Sequence, residues 1–235
     1  MSFTSYGVRE MLLGTASFLL LGFSCVLLAE MHGRWLFLLL IPLALALAWL
    51  FWFFRDPVRT VPAGPGLIVS PADGVVTHLD LAEEPDFIGG EAQRCSIFLS
   101  IFDVHLNRAP LAGEAVYSRF RKGEFHDARS AEALEENQNH DLGIIPSEPG
   151  MPEKALVRQS AGAIARRIVC PVEIGSALAR GERYGMIKFG SRTTLMLSGG
   201  AGVEWLVKKG EKVKAGETAL ARVVAVSRKD ADASK

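Results

Sequence analysis

Tyr184-Gly-Met-Ile-Lys-Phe-Gly-Ser-Arg-Thr-Thr-Leu-Met-Leu197 carries two apolar runs, Met186–Phe189 and Thr193–Leu197, on either side of the dipeptide Gly190-Ser191. Both runs are short and favour β structure, so the stretch predicts two strands joined by a loop or bulge. Gly190 has no Cβ, which lets another group approach its carbonyl closely. Ser191 places a hydroxyl beside that carbonyl. Taken alone, the dipeptide is compatible with a plain structural joint and with a reactive pair.

The texture around this stretch is the same for most of the chain. Short β-type runs punctuated by glycine appear at Leu67–Ser70, Gly74–Leu79, Arg94–Ile101, Ala115–Phe120, Ala155–Gln159, Ile168–Ile174 and Thr218–Val226. They predict a mostly β domain of β-sandwich or barrel-sandwich type with a few short helices. Ala128–Asn137 reads as a short helix, Ala161–Ile168 as a further helical turn, and Asp141–Lys154, with its prolines and glycines, as loop. Gly175-Ser-Ala-Leu-Ala-Arg-Gly-Glu-Arg-Tyr-Gly185 and Val207-Lys-Lys-Gly-Glu-Lys-Val-Lys-Ala-Gly-Glu217 echo one another in their Gly-Glu punctuation. Biotinyl- and lipoyl-type domains have such hairpins, but neither a Met-Lys-Met nor an Asp-Lys-Ala acceptor occurs here. The echo speaks to fold only.

The N-terminus is of another kind. Met11–Ala29 and Trp35–Phe54 are apolar and uncharged, with only Glu30-Met-His-Gly-Arg34 between them. As helices each is roughly 30 Å long, about one hydrocarbon thickness. Residues 1–56 therefore read as a membrane-anchoring hairpin, and residues 57–235 as the folded domain behind the breakers Asp56-Pro57 and Pro62-Ala-Gly-Pro-Gly66. A cleaved signal peptide fits poorly, because a second apolar run follows at once. Pro42 is expected to kink the second run, so a shallow hairpin in one leaflet stands beside two full crossings. Arg9, Arg55 and Arg59 flank the pair against Arg34 in the turn, which points both ends to the cytoplasmic side of the inner membrane.

Composition narrows the chemistry. Lys+Arg and Asp+Glu balance at 26 each, so no global field calls for nucleic acid. Three cysteines without a Cys-x-x-Cys spacing argue against a disulfide framework or a structural zinc, and five scattered histidines indicate no metal site.

Three further stretches stand out. Ser70-Pro-Ala-Asp-Gly74 is a turn whose Asp73 is either an ordinary exposed carboxylate or the partner of a histidine. Phe98-Leu-Ser-Ile-Phe-Asp-Val-His-Leu-Asn-Arg-Ala-Pro110 puts His105 at the end of an apolar strand, where structural and catalytic histidines both occur. In Gln159-Ser-Ala-Gly-Ala-Ile-Ala-Arg-Arg-Ile-Val-Cys170, Arg166 and Arg167 are either a solvated pair or a phosphate contact.

In order, Ser-Pro-Ala-Asp-Gly, Phe-Asp-Val-His-x-Asn-Arg-x-Pro, Ala-Gly-x-x-Ala-Arg-Arg-Ile-Val-Cys and Gly-Glu-Arg-x-Gly-Met-Ile-x-Phe-Gly-Ser-Arg resemble the short form of the phosphatidylserine decarboxylase family. The resemblance runs from about Arg55 to about Val224. One departure is Phe189-Gly-Ser-Arg192, where longer members have Leu-Gly-Ser-Thr. The short branch includes relatives acting on archaetidylserine, so the lipid is less fixed than the reaction.

The resemblance implies a membrane-bound proenzyme that cleaves itself at Gly190-Ser191. Ser191, activated by His105 with Asp73 behind it, attacks the Gly190 carbonyl; elimination and loss of ammonia leave a pyruvoyl group at residue 191. A β chain of 1–190 and an α chain of 191–235 result. The pyruvoyl cofactor, derived from Ser191, is implied to decarboxylate phosphatidylserine to phosphatidylethanolamine through a Schiff base. His105 is the implied proton donor, and no metal or diffusible cofactor is implied. Arg55, Arg59, Arg166 and Arg167 are candidates for contacts with the lipid phosphate or the membrane surface. The oligomeric state is open, a homodimer included. Two other classes remain: a membrane-tethered barrel-sandwich binding module, and a serine hydrolase using Asp73, His105 and Ser191, which lacks Gly-x-Ser-x-Gly.

Overall fold

The computed structural model describes residues 2–128, 130, 132–134, 136–163, 167–188, 191–199 and 202–224. It divides into two compact units, Met1–Val58 and Arg59–Lys235.

In the first unit, strand β1 (Ser2–Phe3) is followed by helix α1 (Val8–His32), a 3-10 helix at Arg34–Leu39, helix α2 (Leu40–Phe53) and strand β2 (Arg55–Asp56). β1 and β2 pair antiparallel, Ser2 opposite Asp56, which ties the two ends of the unit together. Both helical segments, Ser5–His32 and Arg34–Phe53, are long and apolar enough to cross a membrane, and 6% of each apolar window is buried. A core helix would hide its leucines; Leu12, Leu20 and Leu45 are instead exposed, as lipid-facing side chains are. Pro42 lies in the first turn of α2, directly after the 3-10 segment, where a missing N–H costs least.

The second unit is mostly β. Its strands are β3 (Leu67–Val69), β4 (Gly74–Glu84), β5 (Gly90–Leu99), β6 (Leu106–Arg108), β7 (Gly113–Arg121), β8 (Asn139–Pro146) and β9 (Ala155–Ser160), then β10 (Arg167–Val169), β11 (Ala177–Leu178), β12 (Arg183–Lys188), β13 (Ser191–Ser198), β14 (Gly202–Trp205), β15 (Lys212–Val213) and β16 (Ala219–Val224). An eight-stranded sheet runs β11-β7-β8-β9-β13-β5-β4-β15, and two three-stranded sheets run β10-β12-β6 and β14-β16-β3. Among the described residues these strands pair antiparallel, as short glycine-punctuated strands allow. The alternate residues Leu195 and Leu197 of β13 join Ile97, Leu99, Val157, Tyr184 and Leu220 in one buried core.

The Gly-Glu echo has a structural meaning. In both copies the glutamate carboxylate accepts the N–H three residues back, Glu182 from Ala179 and Glu211 from Lys208, at 2.8 and 3.0 Å. Gly181 (φ 81°) and Gly210 (φ 90°) hold the left-handed position of each turn.

Local signals misplaced several elements. Asp141–Lys154 is not all loop: residues 139–146 form β8, and the prolines act only from Pro146 onward. The helix expected over Ala128–Asn137 reduces, among the described residues, to a 3-10 turn at Glu132–Leu134. The helical turn expected over Ala161–Ile168 lies in part outside the described residues, and the strand expected over Ile168–Ile174 stops at Val169.

Candidate active site

The chain changes sheets between Lys188 and Ser191. β12 ends at Lys188 in a three-stranded sheet, and β13 begins at Ser191 in the centre of the eight-stranded one. Gly190, with Phe189, lies outside the described residues, so the structure gives the position of Ser191 alone. Ser191 pairs with Leu99 and is fully buried, and its Oγ has no hydrogen-bond partner among the described residues. A buried hydroxyl without a partner forfeits a hydrogen bond that water would supply, a cost more often met at functional sites than in a settled core.

His105 lies between β5 and β6 and is fully buried. Its carbonyl accepts the N–H of Ile187 at 3.2 Å, which fastens it to β12 close to the sheet change. Its Nδ1 lies 2.9 Å from the carbonyl oxygen of Asp103. A carbonyl only accepts, so Nδ1 carries the proton of this contact, and in the neutral ring the lone pair that a base needs is then on Nε2. Asp103 is itself fixed by the Ser100 N–H, 2.8 Å from its Oδ2.

Asp73 sits in the turn before β4. Both of its oxygens are occupied: Arg59 Nη2 is 2.6 Å from Oδ2, and the Ala215 N–H is 2.7 Å from Oδ1. Its carboxyl is pushed above the usual range, chiefly by burial; Arg59 and the Ala215 N–H oppose this, and Asp103 adds to it. The sequence reading is corrected in one respect. Asp73 does not hydrogen-bond to His105, because the Arg59 guanidinium offers a stronger, charge-assisted contact. Arg59 is corrected in turn. Its side chain is 7% exposed and bridges Asp73 and Glu217, so it is engaged inside the domain rather than held out to a lipid head group.

The other arginines separate. Arg55 donates to the Trp52 carbonyl at 2.7 Å and lies 4.3 Å over that ring, an aromatic contact in the first unit. Arg167 is exposed on β10, opposite Lys188 of β12. Arg166 lies outside the described residues.

Asn107 was not recognised from the sequence as part of the site, yet it joins the candidate segments. Fully buried, it donates from Nδ2 to the Pro71 carbonyl at 3.3 Å and to Thr193 Oγ1 at 2.9 Å. Its Oδ1 accepts from Gln159 Nε2 at 2.8 Å. One amide thus connects the Asp73 turn, the strand after His105 and the strand that opens with Ser191. Thr193 and Gln159 are also fully buried, on the Ser191 face of β13 and its neighbour β9. The available signal was a run of polar side chains in strands otherwise apolar. Arg192, on the opposite face, was recorded in the sequence only as a departure at the cleavage motif.

Known proteins give this arrangement a class. Relatives from Symbiobacterium thermophilum (46% identical over 172 residues, 73% of this chain and 78% of the relative) and Rhodopirellula baltica (41% over 209 residues, 89% and 86%) are both named phosphatidylserine decarboxylase proenzyme. So is one from Trichlorobacter lovleyi, 46% identical over 171 residues, 73% of this chain and 75% of the relative. All three are thus lyases made in a precursor form. Residues 46–221 match the phosphatidylserine decarboxylase family itself, and this chain belongs to that family.

Proposed function

We propose that this chain is a membrane-bound decarboxylase of phosphatidylserine that matures by cutting itself between Gly190 and Ser191. The observation that carries the reading is the buried, unpartnered Oγ of Ser191 at the point where the chain passes between sheets. Family membership supplies the reaction type.

Maturation uses this chain's own groups. His105, with its Nδ1 proton committed to the Asp103 carbonyl, accepts the Ser191 proton at Nε2. The serine oxygen then attacks the Gly190 carbonyl, and the peptide becomes an ester. The buried Asp73 carboxyl is held in place by Arg59 and the Ala215 N–H, and in its ionised form it supplies negative charge that favours the protonated imidazole. Elimination releases the carboxylate of residue 190 and leaves dehydroalanine at 191, which water converts to a pyruvoyl group with loss of ammonia.

Residue 191 fits that group, since the Ser191 side chain already occupies a closed site with no competing hydrogen bond. Once formed, the pyruvoyl group supplies an electrophilic carbonyl and an electron sink for the lost carbon dioxide. His105 then serves as the acid that returns a proton to carbon, help typically worth about 10²–10⁴-fold. Asn107 and Gln159 hold the floor of the site in register.

The helical pair fits a lipid substrate. A diacyl lipid rarely leaves its bilayer, because each buried CH₂ is worth about 0.8 kcal/mol. We place both ends of the pair on the cytoplasmic face, from the flanking Arg9 and Arg55 against Arg34 in the turn.

The test is conversion of phosphatidylserine in vesicles, followed by separation of the lipids. The full-length protein is expected to yield phosphatidylethanolamine and Ser191→Ala none, with an archaetidylserine arm reporting lipid preference. Product from Ser191→Ala, or none from the parent with either lipid, contradicts the reading.

A further inference from the structure

His105 is buried, yet the turn that fixes it has an apolar, exposed tip. Ser100-Ile-Phe-Asp103 closes on itself: the Asp103 N–H donates to the Ser100 carbonyl at 2.9 Å, and the Ser100 N–H donates to Asp103 Oδ2 at 2.8 Å. The Phe102 N–H reaches Ser100 Oγ at 3.4 Å. Asp103 in turn offers its carbonyl to His105 Nδ1 at 2.9 Å. Turn and imidazole are therefore one hydrogen-bonded piece, not merely neighbours in the chain. At the tip Phe102 is 64% exposed and Ile101 is half-buried, while Val104, His105 and Leu106 beyond it are buried.

Scattered exposed apolar side chains are normal on a protein surface, so exposure alone carries nothing. What marks Phe102 is where it is held. It is the most exposed aromatic ring among the described residues of the folded unit, on a turn whose tip is ordinarily polar or small. Asp103, the one charged residue of the turn, spends a carboxylate oxygen on the Ser100 N–H, which keeps it at the base of the turn. A lipid substrate leaves its acyl chains in the bilayer while its head group reacts beside His105. The rim of the site then meets the membrane surface, and the apolar helices Ser5–His32 and Arg34–Phe53 keep the chain at such a surface.

We propose that Phe102, with Ile101 beside it, inserts into the interfacial layer of the lipid bilayer and seats the mouth of the site on the membrane, an assignment that rests on the decarboxylase reading. The ring touches lipid, not the reacting atoms. Insertion leaves the hydrogen bonds of the turn as they are, so His105 keeps its geometry with or without a bilayer. Self-cleavage is therefore independent of Phe102, and only the access of a bilayer lipid depends on it.

The test uses the full-length protein in nanodiscs of phosphatidylserine and phosphatidylcholine. A photoreactive benzoyl group is carried on a phenylalanine ring at position 102, or at position 20 in place of the exposed Leu20 of α1. After irradiation, lipid adducts on each peptide are read by mass spectrometry, and adducts are expected at both positions. Adducts at position 20 without adducts at 102 overturn the proposal. Adducts at neither overturn it together with the membrane reading of the helices. In parallel, Phe102→Ser is expected to raise the apparent KM for bilayer phosphatidylserine about tenfold, the effect of losing one partly buried ring. Its kcat and self-cleavage are expected to match the parent, and Phe102→Leu to restore the KM. Self-cleavage slowed in step with turnover shows Phe102 acting through His105 and overturns the proposal, as does an unchanged KM. Failure of the decarboxylase reading appears separately, as a parent that makes no phosphatidylethanolamine, whereas the lipid adducts require no turnover.

Discussion

Arg59 Nη2 and Asp73 Oδ2 lie 2.6 Å apart, with side chains 7% and 12% exposed. This ion pair joins the first residue of the folded unit to the turn that carries a proposed catalytic carboxylate. Removing one partner of a largely buried pair leaves the other charge stranded, so Arg59→Met is expected to destabilise the domain by about 3 kcal/mol. Chemical denaturation measures it.

That cost depends on pH in a definite direction. The folded-state pKa of Asp73 is already raised, so the folded protein binds more protons than the unfolded chain just above the ordinary carboxylate range. Stability from this group therefore falls as pH rises through that window. Arg59→Met removes a lowering influence and raises the pKa further. The stability gap between variant and parent is thus expected to narrow from pH 7 to pH 5. A gap that widens on acidification contradicts the assignment.

His105→Asn keeps the size and polarity of the side chain but removes the base. Self-cleavage is expected to slow by at least about 10²-fold, with the fold retained. Gel electrophoresis of the purified chain over time follows it, and circular dichroism checks the fold.

Asp141 is fully buried on β8, held by Arg158 of β9 at 2.7 and 2.9 Å and by Arg121 of β7. Asp141→Asn leaves two guanidinium groups short of their counter-charge. The expected loss is about 3 kcal/mol, read as a melting temperature lower by roughly 6–12 °C. Processing at residue 191 should persist below the new transition, since Asp141 lies outside the proposed site.

Gly74 follows Asp73 with φ 152°, and a Cβ there would lie 2.1 Å from the Phe98 carbonyl oxygen. Gly74→Ala must move either β4 or β5, and with it the Asp73 turn. Loss of at least about 1–3 kcal/mol and slowed cleavage are expected together. Normal stability with slow cleavage would place the effect in the site alone.

What the sequence disclosed follows from the range of the forces involved. Glycine punctuation and β-branched runs are local, so β4, β5, β7, β9, β13 and the paired Gly-Glu turns were readable, as were the two apolar helices. β8 was missed because the prolines and glycines of Asp141–Lys154 read as loop, whereas its strand residues are fixed by partners far along the chain, Asp141 by Arg158 and Arg121. Ser191, His105 and Asp73, the groups proposed to react, were singled out through their motif contexts. Asn107, Gln159 and Thr193 were not, because a buried amide network is defined by partners 52 and 86 residues apart in the chain. Arg59 was misjudged for the same reason: an arginine beside a membrane anchor resembles a head-group contact until its carboxylate partners are located.

The central claim is that Ser191 converts itself into the reactive group, and intact mass spectrometry of the purified protein tests it most directly. The expected result is two chains, residues 1–190 and 191–235, the smaller lighter by one ammonia than a peptide beginning with serine. A single chain of full mass that persists on incubation, or a cut leaving an unmodified serine at 191, would contradict the account.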